Sequence, residues 1–239
     1  MNVLRAIAIA AVLVAALASC GGQASSHADD AASSAAGTAA SPKDLFATID
    51  AAVAKETSVR QQLGNLNPPP TVVLEQEYGD DRDQLALTVD LGPHTDPLRA
   101  YRVDGLLYLE GQDAKPTGEI DPDETALIAV MARSDVRQDF QRMARLVDDF
   151  SYVGKEDILG ATTRHYRLTL TLTPGANPAS LPSQIKGPAP ADLWVAGSGL
   201  PVRLEVKHSE PIAGIAGTGV ARTEYDSWSE PLNLDPTDL

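Results

Sequence analysis

Cys20 is the single cysteine of the chain, and the order Leu17-Ala18-Ser19-Cys20 puts it directly behind two small side chains. A thiolate is the nucleophile that can carry a thioether-linked diacylglycerol, and small residues at 18 and 19 suit a peptidase groove. Upstream, Arg5 precedes an uncharged apolar run from Ala6 to Ala16, the charged and apolar parts of an export leader. That run is too short to span a bilayer, which takes about 20 apolar residues. The spacing is that of a lipobox. It predicts a lipoprotein signal peptide over 1–19, cleavage before Cys20, and lipidation of Cys20 that anchors the chain to the extracytoplasmic face of the cell membrane. Acyl chains contribute about 0.8 kcal/mol per buried methylene, enough for two or three of them to hold without a spanning helix.

No second constellation of this kind follows. The four histidines, at 27, 94, 165 and 208, have no His, Cys or Glu at a metal-ligand spacing such as H-E-x-x-H. His165 and His208 are expected on solvated strand faces, and His27 in a segment without large apolar residues. Asp80, Asp81 and Asp83 lack the glycine and distal glutamate of a calcium loop and suit a solvated turn. Ala196-Gly197-Ser198-Gly199 lacks the first glycine of a nucleophile elbow, so a turn between strands is expected there. Gly214, Gly217 and Gly219 are out of order for a dinucleotide fingerprint and read as a mobile loop. No catalytic residue, metal site or cofactor-binding residue is assigned, and an enzyme is not expected.

Charge narrows the partners. The formal net charge is −14, and loss of the leader, whose one charge is Arg5, makes it one unit more negative. Such a body is repelled by phosphate backbones and anionic headgroups, which excludes nucleic acid as a partner and leaves the membrane contact to the lipid anchor. Residues 21–41 are Gly, Ala, Ser, Thr, Gln, His and two Asp, so 20–41 reads as a lipidated flexible tether. The remaining 42–239 reads as the folded domain, with 43% hydrophobic residues in the chain as a whole and no disulfide available to it.

The elements that must position any site follow from periodicity. Ser41-Pro42-Lys43-Asp44 starts a helix running to about residue 60, with Leu45, Phe46, Ile49, Ala52 and Val53 on one stripe. After Pro68-Pro69-Pro70 the period becomes two, giving strands over Thr71–Tyr78 and Leu85–Leu91, then a hairpin across Asp104-Gly105. Asp121-Pro122-Asp123-Glu124 starts a helix of about 25 residues, its stripe running through Leu127, Met131, Val136, Phe140, Met143, Val147 and Phe150. Strands are expected from Tyr152 to Asp157 and from Thr162 to Leu172, where Tyr166, Leu168, Leu170 and Leu172 alternate with His165, Arg167, Thr169 and Thr171. A proline-rich loop over 174–190 precedes strands at Leu193–Ala196, Val202–Val206 and Val220–Trp228, and the acidic tail from Glu230 is expected to be loosely held. Tyr225 and Trp228 are expected to pack as core residues, with a pocket mouth as the alternative. About nine strands make a sheet roughly 40 Å wide, and two helices cover about half of it. The sheet must then curl round the helices, close into a barrel, or enclose a space that an apolar ligand fills.

Three ordered segments carry a resemblance: Tyr152-Val-Gly-Lys-Glu-Asp-Ile-Leu-Gly-Ala-Thr-Thr-Arg-His-Tyr166, Asp192-Leu-Trp-Val195 with Gly199-Leu200-Pro201, and Glu224-Tyr-Asp-Ser-Trp228. Over about residues 42 to 236 the chain resembles the LppX/LprAFG lipoproteins of actinobacteria, whose fold is similar to that of the LolA and LolB carriers. The resemblance implies an α+β fold: a curved antiparallel β-sheet, or half-barrel, with helices packed on its concave face and lipid acyl chains enclosed between them. It implies no residue-by-residue lining for that cavity. The expected function is a membrane-anchored carrier of lipid or lipoglycan, handing its cargo to an envelope transporter. A non-lipid-binding envelope interaction or sensor module is the alternative, and a hydrolase assembled by the fold a third reading.

Overall fold

The computed structural model describes residues 38–65, 71–78, 83–90, 98–104, 106–109, 115–116, 135–173, 178, 186–208 and 219–230. The leader, Cys20 and most of the tether lie outside these residues, as do His27, His94, Asp80, Asp81, Gly214, Gly217, the span 121–134 and the tail from 231.

Helix α1 spans Pro42–Val53 and α2 spans Val136–Ala144. The strands are β1 (Ser58–Asn65), β2 (Thr71–Tyr78), β3 (Asp83–Asp90), β4 (Leu98–Val103), β5 (Leu106–Leu109) and β6 (Lys115–Pro116), then β7 (Val147–Ile158), β8 (Ala161–Leu172), β9 (Gly187–Ala196), β10 (Pro201–His208) and β11 (Gly219–Trp228). All eleven join one antiparallel sheet in the order β6-β5-β4-β3-β2-β1-β11-β10-β9-β8-β7. Every neighbour in space is a neighbour in sequence except β1 and β11. The chain therefore makes two meanders, β1–β6 and β7–β11, whose first and last strands zip together. The sheet stays open as a half-barrel with the helices on its concave side.

Both helices start where a side chain can accept orphan backbone donors. Ser41 Oγ accepts the Asp44 N–H at 3.2 Å, with Pro42 in the first turn. Asp135 Oδ1 accepts those of Arg137 and Gln138 at 2.9 and 3.2 Å. The α1 stripe is buried as expected, but the helix stops at Val53, because β1 begins at Ser58 and its polar sequence SVRQQLGN is held by pairing on both sides.

The expected long helix is corrected at its end. Val147 and Phe150 belong to β7, facing Leu170 and Leu168 of β8. A bulge between Val147 and Asp149 lets two residues three apart point to the same side, which in sequence mimics helical spacing. The proline-rich span is corrected too, since β9 starts at Gly187 and takes in Pro188 and Pro190. Those two prolines pair with Thr171 and Thr169 of β8, at the end of β9 that the β10 register does not reach. Lying two apart, both direct their missing N–H to that unpaired side, where no ladder bond is lost.

Candidate functional site

The inner face of the sheet is built row by row from the pairing register, because directly paired residues project to the same side. One row runs Tyr152, Tyr166, Leu193, Leu204, Thr223 and Leu63 across β7 to β1. Another runs Trp228, Val59, Gln76, Leu85, Arg102 and Leu107 across β11 to β5. The apolar face is continuous, but two different things happen along it.

Over β7–β11 and β1 the helices fill the concavity. Leu45, Phe46, Ile49 and Val53 of α1, and Val136, Phe140 and Met143 of α2, form one buried cluster with Tyr166, Leu168, Leu170, Leu193, Leu204, Val206 and Tyr225. Phe140 meets Tyr225 at 5.6 Å between ring centres, and Tyr225 stacks on Trp228 at 5.8 Å. Burial, then the nearby Asp139 and Tyr78, hold the Tyr225 hydroxyl well above the usual tyrosine range. Tyr225 and Trp228 are therefore packed residues. They share a face, although three apart, because the ladder shifts between Arg60 and Gln61.

Over β2–β5 the same face carries Leu74, Leu85, Leu87, Ala100 and Leu107, all buried, and none of them joins the helix-centred cluster. The boundary is polar: Gln76 Oε1 accepts the Val136 N–H at 3.3 Å at the start of α2, and the Arg137 guanidinium lies 3.9 Å over the Tyr78 ring. The sequence reading assigned no role to these leucines or to Arg102. Their two-residue alternation was the available signal, but it does not reveal which part of an apolar face a helix will cover.

Among the described residues the outer face holds a dense cluster of titratable groups around His165. His165 is 6% exposed, which corrects the expectation of a solvated position. Its Nδ1 lies 2.7 Å from Glu156 Oε1 and its Nε2 2.8 Å from Asp192 Oδ1, and the ring stacks on Trp194 at 4.5 Å. Trp194 Nε1–H donates to Glu156 Oε2 at 2.9 Å. Both bonds to His165 are donated at once only by a doubly protonated ring. Hydrogen bonds from Trp194 and His165 hold the Glu156 carboxyl below its usual range. Burial works against ionisation of Asp192, but hydrogen bonds from His165 and Lys207 outweigh it and leave its pKa lowered. The cluster ties edge strand β7 to β9 across β8. Beside it Arg203–Glu224 and Arg222–Glu205, both at 2.7 Å, continue the polar lattice across β10 and β11.

His208 is corrected as well, at 7% exposure. It faces Gly219, where a Cβ would stand 2.5 Å from the imidazole, so the ring occupies the space a side chain would need. Gly219 thus opens strand β11 instead of ending a loop. Ser198 sits in the β9–β10 turn as expected, and Gly199 packs against Thr48 and Ala52 of α1. Asp83 opens β3 opposite Tyr78. A shallow groove of about 520 Å³ on the outer side of α1, between Asp44, Thr48, Lys55 and Ser198, lies away from the apolar face. Among the described residues no three His, Cys, Asp or Glu side chains are grouped to hold a metal, and no helix is long and apolar enough to cross a membrane.

Comparison with solved structures places this architecture. LprF from Mycobacterium bovis superposes with a TM-score of 0.52 at 16% identity, over 82% of this chain and 96% of that one. The Mycobacterium tuberculosis lipoprotein LppX gives 0.51 at 16% identity, over 82% of this chain and all of its own. The chain has the LprF and LppX fold. No family model matches the sequence, and no curated protein matches it either.

Proposed function

We propose that this protein is a non-catalytic lipid carrier of the cell envelope, tethered through lipid on Cys20 and shielding acyl chains of a lipid or lipoglycan against its inner sheet face. The observation that supports this most is the extent of the apolar inner face, which runs on through Leu74, Leu85, Leu87 and Leu107, buried apart from the cluster around the two described helices. Moving methylenes from water onto such a surface is worth about 0.8 kcal/mol each, so a single long chain supplies several kcal/mol of binding. The fold shared with two mycobacterial proteins, one of them the lipoprotein LppX, fits the same reading. The cargo would pass to an envelope transporter.

Native mass spectrometry of protein gently purified from membranes should show bound acyl lipid. Protein that stays empty after exposure to membrane extract overturns the reading. Replacing Cys20 with Ala should leave lipid binding in solution intact and abolish transfer at the membrane. A docking module without lipid is the second reading, favoured by the exposure of Tyr152 and Val153 on edge strand β7. It predicts empty protein that loses a partner when those two residues are changed to Ser.

A further inference from the structure

Among the described residues the exposed large hydrophobic side chains are Tyr152, Val153 and Leu159, at 39%, 46% and 55%, and all three lie on β7 or in the turn that follows it. β7 ends the strand order of the sheet, so one side of its backbone has no strand beside it among the described residues. Apolar side chains scattered singly over a surface are ordinary, whereas their confinement to one open edge marks a contact surface.

The entry of the chain fixes what that edge faces. The Ala39 N–H donates to Tyr166 Oη at 3.5 Å, and the Tyr166 ring lies 5.6 Å from that of Tyr152 and 5.5 Å from that of Phe150. The chain coming from Cys20 therefore enters the domain beside the exposed stretch of β7. Linkers rich in Gly, Ala and Ser and about 19 residues long, the separation of Cys20 from Ala39, average about 25 Å end to end. An anchor at Cys20 thus keeps this edge the near side of the domain to the membrane.

We propose that Tyr152 and Val153 rest on the bilayer surface when the protein is held by its lipid, turning the β7 edge of the sheet toward the membrane. Such an orientation rests on the Cys20 anchor proposed above. A tyrosine suits headgroup depth, with its ring at the apolar boundary and its hydroxyl in water. Asp148, Asp149, Glu156 and Asp157 on the same strand, together with the edge backbone groups, keep the contact shallow, because neither enters hydrocarbon without a partner. Two side chains orient an anchored domain and do not hold a free one.

Cys20 is the single cysteine, so in the lipidated protein an introduced cysteine is the one reactive thiol. The lipidated full chain carrying Lys155→Cys or Asp226→Cys is labelled with a fluorophore and placed in phosphatidylcholine vesicles that contain a spin-labelled lipid quencher. Lys155 is exposed on β7 near Val153, and Asp226 is exposed on β11, four strands or roughly 20 Å away. The label at 155 should lose most of its fluorescence, and the label at 226 should keep it. Changing Tyr152 and Val153 to Ser should bring the label at 155 to the level at 226. Val153→Ser alone, which leaves the contact between Tyr152 and Tyr166 in place, should restore part of the fluorescence. Equal quenching at 155 and 226, in protein that stays on the vesicles, overturns the orientation and leaves the carrier reading standing. Unchanged quenching after the double substitution overturns the role of the two side chains. A label at 155 that is shielded in native membranes but open on pure lipid vesicles marks a protein dock and overturns the bilayer contact. Protein that does not stay on the vesicles overturns the Cys20 anchor, and the orientation with it.

Discussion

The two meanders of one sheet have been finished differently. In β8–β11 both faces are covered: the helices pack the inside, and on the outside, beneath an ion-pair lattice, Ala191 through Val195 of β9 are all buried. In β2–β5 the inner face carries leucines and one arginine outside the helix cluster, and among the described residues the outer face shows Arg60–Glu75 at 3.6 Å as its cross-strand ion pair. The two halves bury their inner faces through different neighbours. Equal apolar content does not mean equal neighbours: among the described residues the helices pack against the β7–β11 half.

The largest test of that contrast is a pair of truncations. Phe140→Ala removes a ring from between α2 and Tyr225 and should cost about 3–5 kcal/mol in urea unfolding. Leu87→Ala on β3 should cost about 2 kcal/mol, the low end for a buried leucine, while weakening lipid binding. Equal losses would mean that the halves are packed alike and would break the comparison.

His165→Phe keeps a ring on Trp194 but removes both hydrogen bonds, and should cost about 2 kcal/mol near neutral pH. Glu156 and Asp192 have lowered values in the folded protein, so their contribution is complete above the ordinary carboxylate range near 4 and is lost as pH falls through the lowered values. The wild type should therefore lose stability on acidification below that range, and His165→Phe should lose less. Identical acid limbs for the two proteins would show that the outer lattice does not depend on this histidine.

Gly219→Ala forces a methyl group to 2.5 Å from His208 and should cost about 1–2 kcal/mol, read as a lowered Tm. No change would mean that the imidazole swings away freely and that this end of the closed half is looser than its burial indicates. The smallest effect belongs to Leu159, 55% exposed in the β7–β8 turn with φ at 51°, a conformation leucine disfavours. Leu159→Asn should stabilise by about 0.5–1 kcal/mol. Destabilisation instead would show that the leucine side chain packs despite its exposure.

Most strands were legible because alternation is a local property: Tyr166, Leu168, Leu170 and Leu172 announce the inner side of β8 by themselves. β1 was not, since its polar residues are buried by neighbours 10 and more positions away in the chain. Val147 and Phe150 misled because a bulge gives a strand the spacing of a helix.

The acidic character, the cap at Ser41 and the strand-rich meander could be read from the sequence alone, because residues close together in the chain encode them. The tertiary structure decided that His165 and His208 are buried, how β1 joins β11, and which inner-face residues the described helices pack against. Those outcomes depend on which distant residues become neighbours, and only the folded register supplies that information.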